Sequence, residues 1–502
     1  MSDWRGNTFE ARLGPPGHGG FCVARHEGRV VFVRHGLPGE LVRARVTEDR
    51  GGSFCRADAV EVLEASPDRV PATCPVSGPG GAGCCDFSFA TPMAQRALKA
   101  AVVAEQLRRL AGIDREVLVE PIAGTDDAIG GWRTRVRLAV DAQGRAGVHR
   151  YRSSEVIADL RCPQPVLGAL DGVADRLWTP DADLVIAVDG DGIRHIVELA
   201  PAAAAEYGRR GGDRRGAGRR RSDFGDGGVR GHNPRGGHDR HGGSRGGPGD
   251  GRAGDGPPRD ERESGRRGSG GRGGARHKDD PAAAGSPRHD ERRAAAARRA
   301  ATLAERDEWV FEGSGRAVEY VAGRRWEIAV TGFWQAHRDA AQCYSDLVSE
   351  WSGLTPGGSA WDLYSGAGVF AARMAEQVGR SGVVVAVETT RSAVADGVAA
   401  LRDLPWVELR AQRVERWAVE HVDAAAPDVA VLDPPRAGAG KEVVGAVTAS
   451  GPTRIIHVGC DPAAFARDLG LYQAGGYQLA DLRAFDAFPA THHVECLALL
   501  ER

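Results

Sequence analysis

Over the first 68 residues, apolar side chains fall in short alternating runs: Phe9-Glu10-Ala11-Arg12-Leu13, Val30-Val31-Phe32-Val33 and Leu41-Val42-Arg43-Ala44-Arg45-Val46. Period-two alternation punctuated by Gly-Pro and Pro-Gly predicts strands joined by tight turns. Five or six strands in that span predict a small closed or partly closed β-barrel of the oligonucleotide-binding type. A helical period follows over about 92–110, then strands near 133–140 and 146–151. Another helix is expected after Cys162, then a strand pair over 184–188 and 195–199. From Trp309 onward the rhythm is strand, helix, strand, helix, with strands over 360–363, 383–387, 429–432 and 454–458 and helices over 368–378, 392–401 and 462–471. Such alternation predicts a doubly wound, mainly parallel sheet.

Between these halves the apolar pattern vanishes. Over 208–300 the chain is Gly, Arg, Asp, His and Ser with Arg-Gly repeats, and only Phe224 and Val229 stand out as large apolar residues. Too little apolar surface is available there to offset chain entropy, so disorder is expected, ending in a helix over 291–305. This segment carries 24 Lys+Arg against 13 Asp+Glu; the whole chain carries −2, which leaves −13 for the rest. Arg-Gly segments can hold single-stranded nucleic acid through cation and stacking contacts. The chain thus divides into 1–68 (barrel), 69–207 (mixed central domain), 208–300 (insertion), 301–345 (return of the central domain) and 346–502 (Rossmann-like domain). Its fold class is multi-domain α+β and α/β.

No apolar run approaches a membrane span, and the start MSDWRGNTFE reads as no secretory leader. Nine scattered cysteines form no disulfide framework and fit reduced thiols. A cytoplasmic monomer without membrane partners is expected.

Several motifs carry chemistry. Asp362-x-x-x-Gly366-x-Gly368 leaves a strand and opens a helix, so backbone can approach a ligand closely, with Tyr364 beside an adenosyl or methionyl group. Glu388, at the end of the next strand, can accept hydrogen bonds from ribose hydroxyls. Without a full dinucleotide fingerprint, S-adenosylmethionine fits better than a nicotinamide cofactor. Asp433-Pro434-Pro435-Arg436 is a rigid strand exit that holds Asp433 at the cleft. Arg436 stands where amino-group methylating enzymes place an aromatic residue, which disfavours methylation of a base nitrogen. Cys460 ends a strand just before Pro462 opens a helix, and a helix N-terminus lowers a thiol pKa. Glu495 is set among apolar residues, where a merely structural carboxylate is costly.

These motifs resemble, in order, those of the RNA (uracil-5-)-methyltransferase family. Residues 1–68 resemble its OB-like TRAM barrel (His18-Gly19-Gly20, Leu37-Pro38-Gly39-Glu40), and Phe333-Trp334-Gln335 its Phe-x-Gln motif. Cys460-Asp461-Pro462 and Phe488 to Glu495 resemble its last two motifs. The resemblance implies an enzyme that methylates carbon 5 of a uridine, with ribosomal RNA favoured over transfer RNA by the barrel. It implies Cys460 as nucleophile, Glu495 as base, Asp433 and Gln335 as ring- or cofactor-orienting groups, and Asp362, Tyr364, Gly366 and Glu388 in the cofactor site. It also implies a [4Fe-4S] cluster on Cys74, Cys84, Cys85 and Cys162. Ala82 occupies the expected second-ligand position, so a structural zinc or no metal remain alternatives. His337, Arg413 and Asp461 also depart from the family pattern. The rival from another class is an RNA-binding or ribosome-assembly factor that keeps the fold without turnover.

Overall fold

A computed structural model describes residues 3–122, 130–202 and 306–502. The expected insertion over 208–300 and the helix over 291–305 lie outside the described residues.

The N-terminal strands β1 (Thr8–Arg12), β2 (Pro16–Gly17), β3 (Phe21–His26), β4 (Arg29–Arg34), β5 (Leu41–Asp49) and β6 (Phe54–Glu64) form one sheet in the order β1-β5-β6-β4-β3-β2. The sheet curls until β1 meets β3, with the Phe9 ring stacked on His26 at 3.9 Å between centroids. Alternate residues of the strands (Val31, Val33, Val42, Ala44, Val46) fill its interior. Arg25 and Arg45 are exposed, but Arg29 and Arg34 are buried, as is His35. Arg29 makes a two-pronged pair with Asp49 (2.9 and 2.6 Å), and Arg34 reaches Asp86 at 2.6 Å.

Thr91 caps the helix Pro92–Gln106, which continues as a π-turn over Leu107–Ala111 and stops at left-handed Gly112. Then come β7 (Val119–Pro121), β8 (Arg135–Val140), β9 (Ala146–His149), β10 (Val156–Ile157), β11 (Asp183–Val188), β12 (Arg194–Leu199) and β13 (Glu308–Glu312); β8 to β13 make a second sheet ordered β10-β9-β8-β11-β12-β13. The helix expected after Cys162 is a string of turns over 167–175. Gly168 and Gly172 take positive φ there (82° and 70°), which an α-helix does not accommodate.

The hairpin β14 (Arg316–Val321) and β15 (Arg324–Ala329) leads through the Phe-x-Gln loop into the helix Ala340–Ser352. The third sheet holds β16 (Ser359–Leu363), β17 (Val383–Glu388), β18 (Val407–Ala411), β19 (Val429–Leu432), β20 (Arg454–Gly459), β21 (Gln478–Asp486) and β22 (Glu495–Glu501), ordered β18-β17-β16-β19-β20-β22-β21-β7. Strands β16 to β20 run parallel and β22 runs antiparallel to β20. β16, β19 and β20 read Ala-Trp-Asp-Leu, Val-Ala-Val-Leu and Ile-Ile-His-Val because helices cover both faces, so neither side of the sheet can be polar. β7 extends this sheet, and Val103, Leu107 and Val119 pack in the same apolar cluster as Trp361 and Phe465.

Asp86 is the knot between these parts: one carboxylate oxygen takes Arg34 of the barrel and the other takes His492 Nδ1 at 2.6 Å. Both Arg34 and Asp86 are buried, so Asp86→Ala leaves an uncompensated guanidinium. A loss of about 3 kcal/mol is expected, read as a lowered thermal midpoint. Asp159→Ala, which removes only the partner of exposed Arg161, should leave that midpoint in place.

Candidate active site

The parallel strands point their carboxyl ends into a cleft where the strand order reverses, between β16 and β19. After β16 the chain turns sharply at Tyr364, a non-glycine residue at φ 65°. The Val387 carbonyl holds this turn by accepting from the amides of Tyr364 (2.9 Å) and Ser365 (3.1 Å). Gly366 follows at φ 53°, and a Cβ built there would meet nothing within 4 Å, so its face is open to a ligand. Glu388, at the end of β17, accepts from the Gly366 amide at 3.2 Å. Asp362 is fully buried; one oxygen accepts from the Ala371 amide at 2.8 Å and the other has no partner. Burial raises this carboxyl to about 7. An orphaned buried acceptor, an open glycine face and a strand-end carboxylate suit a nucleoside-bearing ligand. The Tyr364 ring is half-buried against the cluster containing Trp417 and Leu469. The Gln335 loop is tied to the same turn: Trp334 packs 6.1 Å from Trp326, whose indole donates to the Ala367 carbonyl at 3.0 Å.

The second half of the cleft is set by strand register. β20 and β22 pair from Arg454↔Glu501 to Gly459↔Cys496, and one further step places Cys460 opposite Glu495. Asp433 leaves β19, the parallel neighbour of β20, and its amide donates to the Leu363 carbonyl at 3.2 Å. Burial, then Asp433, raises the Glu495 carboxyl well above its ordinary value, while Arg436 opposes. Burial likewise raises Asp433 to about 7.

Cys460 differs from the sequence expectation. Burial, then the Glu495 carboxylate, pushes its thiol up to about 12, with Arg436 acting in the other direction. The helix Pro462–Ala474 does begin beside it, capped by Asp461, which accepts from the Ala464 amide at 2.9 Å. Desolvation and the neighbouring carboxyls oppose that helix terminus.

Three neighbours were not singled out as site residues from the sequence, although His18 and His493 lie within its motifs. Tyr344 is fully buried with an unpartnered hydroxyl, and Glu495, Asp433 and Cys460 face it. Its place on the apolar side of a helix reads simply as core. His18 comes from the barrel, with Nε2 3.0 Å from Asp461 Oδ2. His493 Nε2 lies 3.2 Å from Arg436, and burial depresses its ring to about 3. A cavity of about 190 Å³ gathers His18, Arg436, Cys460, Asp461, His492 and His493.

The four central cysteines also converge. The thiols of Cys74, Cys84 and Cys162 all lie close to that of Cys85, and the interaction with Cys85 lowers each of the three. Gln164 Nε2 donates to the Cys85 sulfur at 3.4 Å. Among the described residues, no group of three or more His, Cys, Asp or Glu is disposed to hold a metal ion. All nine cysteines are free thiols, and no helix among the described residues is long and apolar enough to cross a membrane.

Comparison with known proteins agrees with this arrangement. Residues 4–60 match the TRAM domain model, and residues 354–502 match the tRNA (uracil-5-)-methyltransferase model. An uncharacterized RNA methyltransferase of Streptomyces avermitilis is 37% identical over 99% of this chain and 98% of its own. The 23S rRNA (uracil(1939)-C(5))-methyltransferase RlmD of Alkalilimnicola ehrlichii is 29% identical over 98% of this chain and 96% of its own. The fold matches the Pyrococcus abyssi tRNA (uracil-54, C5)-methyltransferase solved with S-adenosyl-L-homocysteine, with a TM-score of 0.59 at 17% identity over 98% of this chain and 100% of that one. A TRAM barrel joined to a doubly wound sheet, with these relatives along its whole length, places the chain in the RNA (uracil-5-)-methyltransferase family.

Proposed function

We propose that this protein methylates carbon 5 of a uridine in ribosomal RNA through a covalent adduct of Cys460. The observation that carries the reading is the β20–β22 register, which sets a thiol and a carboxyl opposite each other beside the strand-order switch.

Uracil C5 is a poor nucleophile until something adds at C6. Cys460 attacks C6, and negative charge spreads onto C5 and the adjacent carbonyl. When bound, S-adenosylmethionine would supply an electrophilic methyl group for that carbon, with S-adenosylhomocysteine as the leaving group. Asp362, Gly366, Glu388 and the Gln335 loop would hold this methyl donor, with Tyr364 at the turn between them. Glu495 then takes the proton from C5, and elimination across C5–C6 releases Cys460. Burial makes Glu495 a strong enough base for that proton, because its ionised form is poorly solvated. Asp433 and Gln335 orient the ring through its imide edge. A base enclosed this deeply must leave its stack, so the target is a loop or bulge. Ribosomal RNA is favoured by the barrel and by the full-length relative that acts on 23S rRNA.

We read Cys74, Cys84, Cys85 and Cys162, which converge without being disposed as a finished ligand shell, as ligands of a [4Fe-4S] cluster, since four neighbouring thiols suit iron–sulfur chemistry. The cluster would be structural, tying the segment before the helix Pro92–Gln106 to Cys162. The protein would act as a monomer in the cytoplasm, where such thiols stay reduced.

Incubation with a labelled methyl donor and unmodified ribosomal RNA, followed by nucleoside analysis, should yield 5-methyluridine. Cys460→Ala should abolish it, and methylation that survives this change overturns the mechanism. Glu495→Gln should slow turnover by about 10²- to 10⁴-fold and accumulate protein–RNA adduct, whereas Cys460→Ala should form none. Protein purified without oxygen should carry about four iron atoms with sulfide, lost in Cys85→Ser; zinc in their place would overturn the cluster assignment.

A further inference from the structure

The proposed reaction needs a Cys460 thiolate, and the cleft works against one. The thiol is desolvated, and Glu495 and Asp433 face it with carboxyl groups. Arg436 and the helix terminus act the other way without bringing it into the neutral range. Its proton must leave to a base close at hand.

The cavity in front of Cys460 contains the candidates. Lys99 is committed to Asp486 and to the Phe488 carbonyl (3.1 Å), and Arg436 holds its proton throughout. His493 presents Nε2 to Arg436, and burial depresses its ring. His492 is bound through Nδ1 to Asp86. His18 is placed differently. It sits on the turn between β2 and β3, with Nε2 3.0 Å from the carboxylate of Asp461, the residue joined to Cys460. That contact fixes the tautomer with hydrogen on Nε2, so Nδ1 carries the free lone pair, and no partner for it is found among the described residues. The turn can come this close because residue 20 is glycine: a Cβ there would stand 3.3 Å from Asp86 and His492 atoms.

We propose that His18, oriented by Asp461, is the base that takes the Cys460 proton as sulfur adds to the pyrimidine. This rests on Cys460 being the nucleophile. The S–H bond breaks, its proton passes through a water in the cavity that both residues line to His18 Nδ1, and the sulfur electron pair forms the bond to C6. The imidazolium is then balanced by Asp461, which stays ionised: burial raises its carboxyl, but His18 and the Ala464 amide bring it down to about 2. On elimination Cys460 leaves as thiolate and His18 returns the proton. Glu495 handles the C5 proton separately. The arrangement follows the carboxylate–imidazole–nucleophile logic of hydrolytic triads, with its imidazole contributed by the barrel. The barrel thereby has a chemical task as well as an RNA-binding one.

The test is alkylation of Cys460 by iodoacetamide, followed by peptide mass spectrometry from about pH 6 to 10. It needs neither RNA nor methyl donor. In the intact protein the rate should rise through a near-neutral step as His18 becomes able to accept a proton. His18→Gln keeps a donor for Asp461, so it should preserve the thermal midpoint, remove the step and slow neutral-pH alkylation about tenfold. Asp461→Asn should move the step to lower pH, because the imidazolium loses its partner; this readout stands even if the His18 variant proves unstable. His492→Gln should keep the step. A His18→Gln profile that superimposes on the intact protein overturns the proposal, as does a step lost with His492 and retained without His18. A clear His18-dependent step in a protein that transfers no methyl group would instead overturn the reaction and leave the relay standing.

Discussion

The pairing of β20 with β22 is the constraint on which the site depends. The two strands come from opposite directions, one out of the parallel series and one as the closing hairpin strand. Ile455, Ile456 and Val458 on one and Leu497, Ala498 and Leu500 on the other are fully buried. Ile456, Val458 and Leu497 pack in the cluster on one face and Ile455, Ala498 and Leu500 in the cluster on the other, so a slip of one residue would exchange the two sets and spoil the packing of both. That same register sets Cys460 opposite Glu495. The proposed reactive pair, Cys460 one residue past the end of β20 and Glu495 at the start of β22, is therefore positioned by the backbone ladder beside it. The cost is that Glu495 and Asp433 share a poorly solvated recess, which raises both carboxyls and the thiol beside them.

The rest of the molecule braces the chain that leads into Glu495. The Phe87 amide donates to the Ala490 carbonyl at 2.9 Å, and the Ala490 amide donates to Gln95 Oε1 at 2.7 Å. Lys99 holds Asp486 and the Phe488 carbonyl, while Asp86 holds His492. All these braces lie between Cys85 and the middle of the following helix. The cysteine-bearing segment thus ends where the clamp on the base-bearing loop begins. The barrel adds its own two contacts, Arg34 to Asp86 and His18 to Asp461. Barrel, cysteine segment and methyltransferase sheet converge on one wall of one cavity, which is a physical reason for joining them in one chain.

Much of this was legible in sequence because periodicity is a local property. The strands over 429–432 and 454–458 stand out as bare apolar runs, and β19 and β20 form there. Glycines that break the 167–175 segment were legible too, yet the apolar spacing misled; positive φ at Gly168 and Gly172 settled it as turns. Glu495 announced itself as a carboxylate in apolar company and Cys460 as a thiol between a strand end and a helix start, but their mutual placement needed the register. Long-range electrostatics was the least legible layer. A helix N-terminus beside Cys460 reads as an acidifying influence, and only the packed cleft reveals the opposing carboxyls and desolvation. The same holds for Arg29 and Arg34, which look like surface cations until Asp49 and Asp86 fold against them. Tyr344 was silent because it sits on the apolar side of a helix, and His18, legible only as part of a barrel motif, because its partner Asp461 lies 443 residues away.

The most direct test of a Cys460–Glu495 reaction is to trap it. Protein and S-adenosylmethionine are mixed with ribosomal RNA carrying 5-fluorouridine, and the mixture is denatured and resolved. Fluorine at C5 leaves Glu495 no proton to remove, so the enzyme should stall as a methylated, denaturation-resistant adduct joined through Cys460. Sequencing the trapped RNA would then give the uridine. Tight RNA binding with no adduct under these conditions would contradict the account and favour a protein that holds RNA without modifying it.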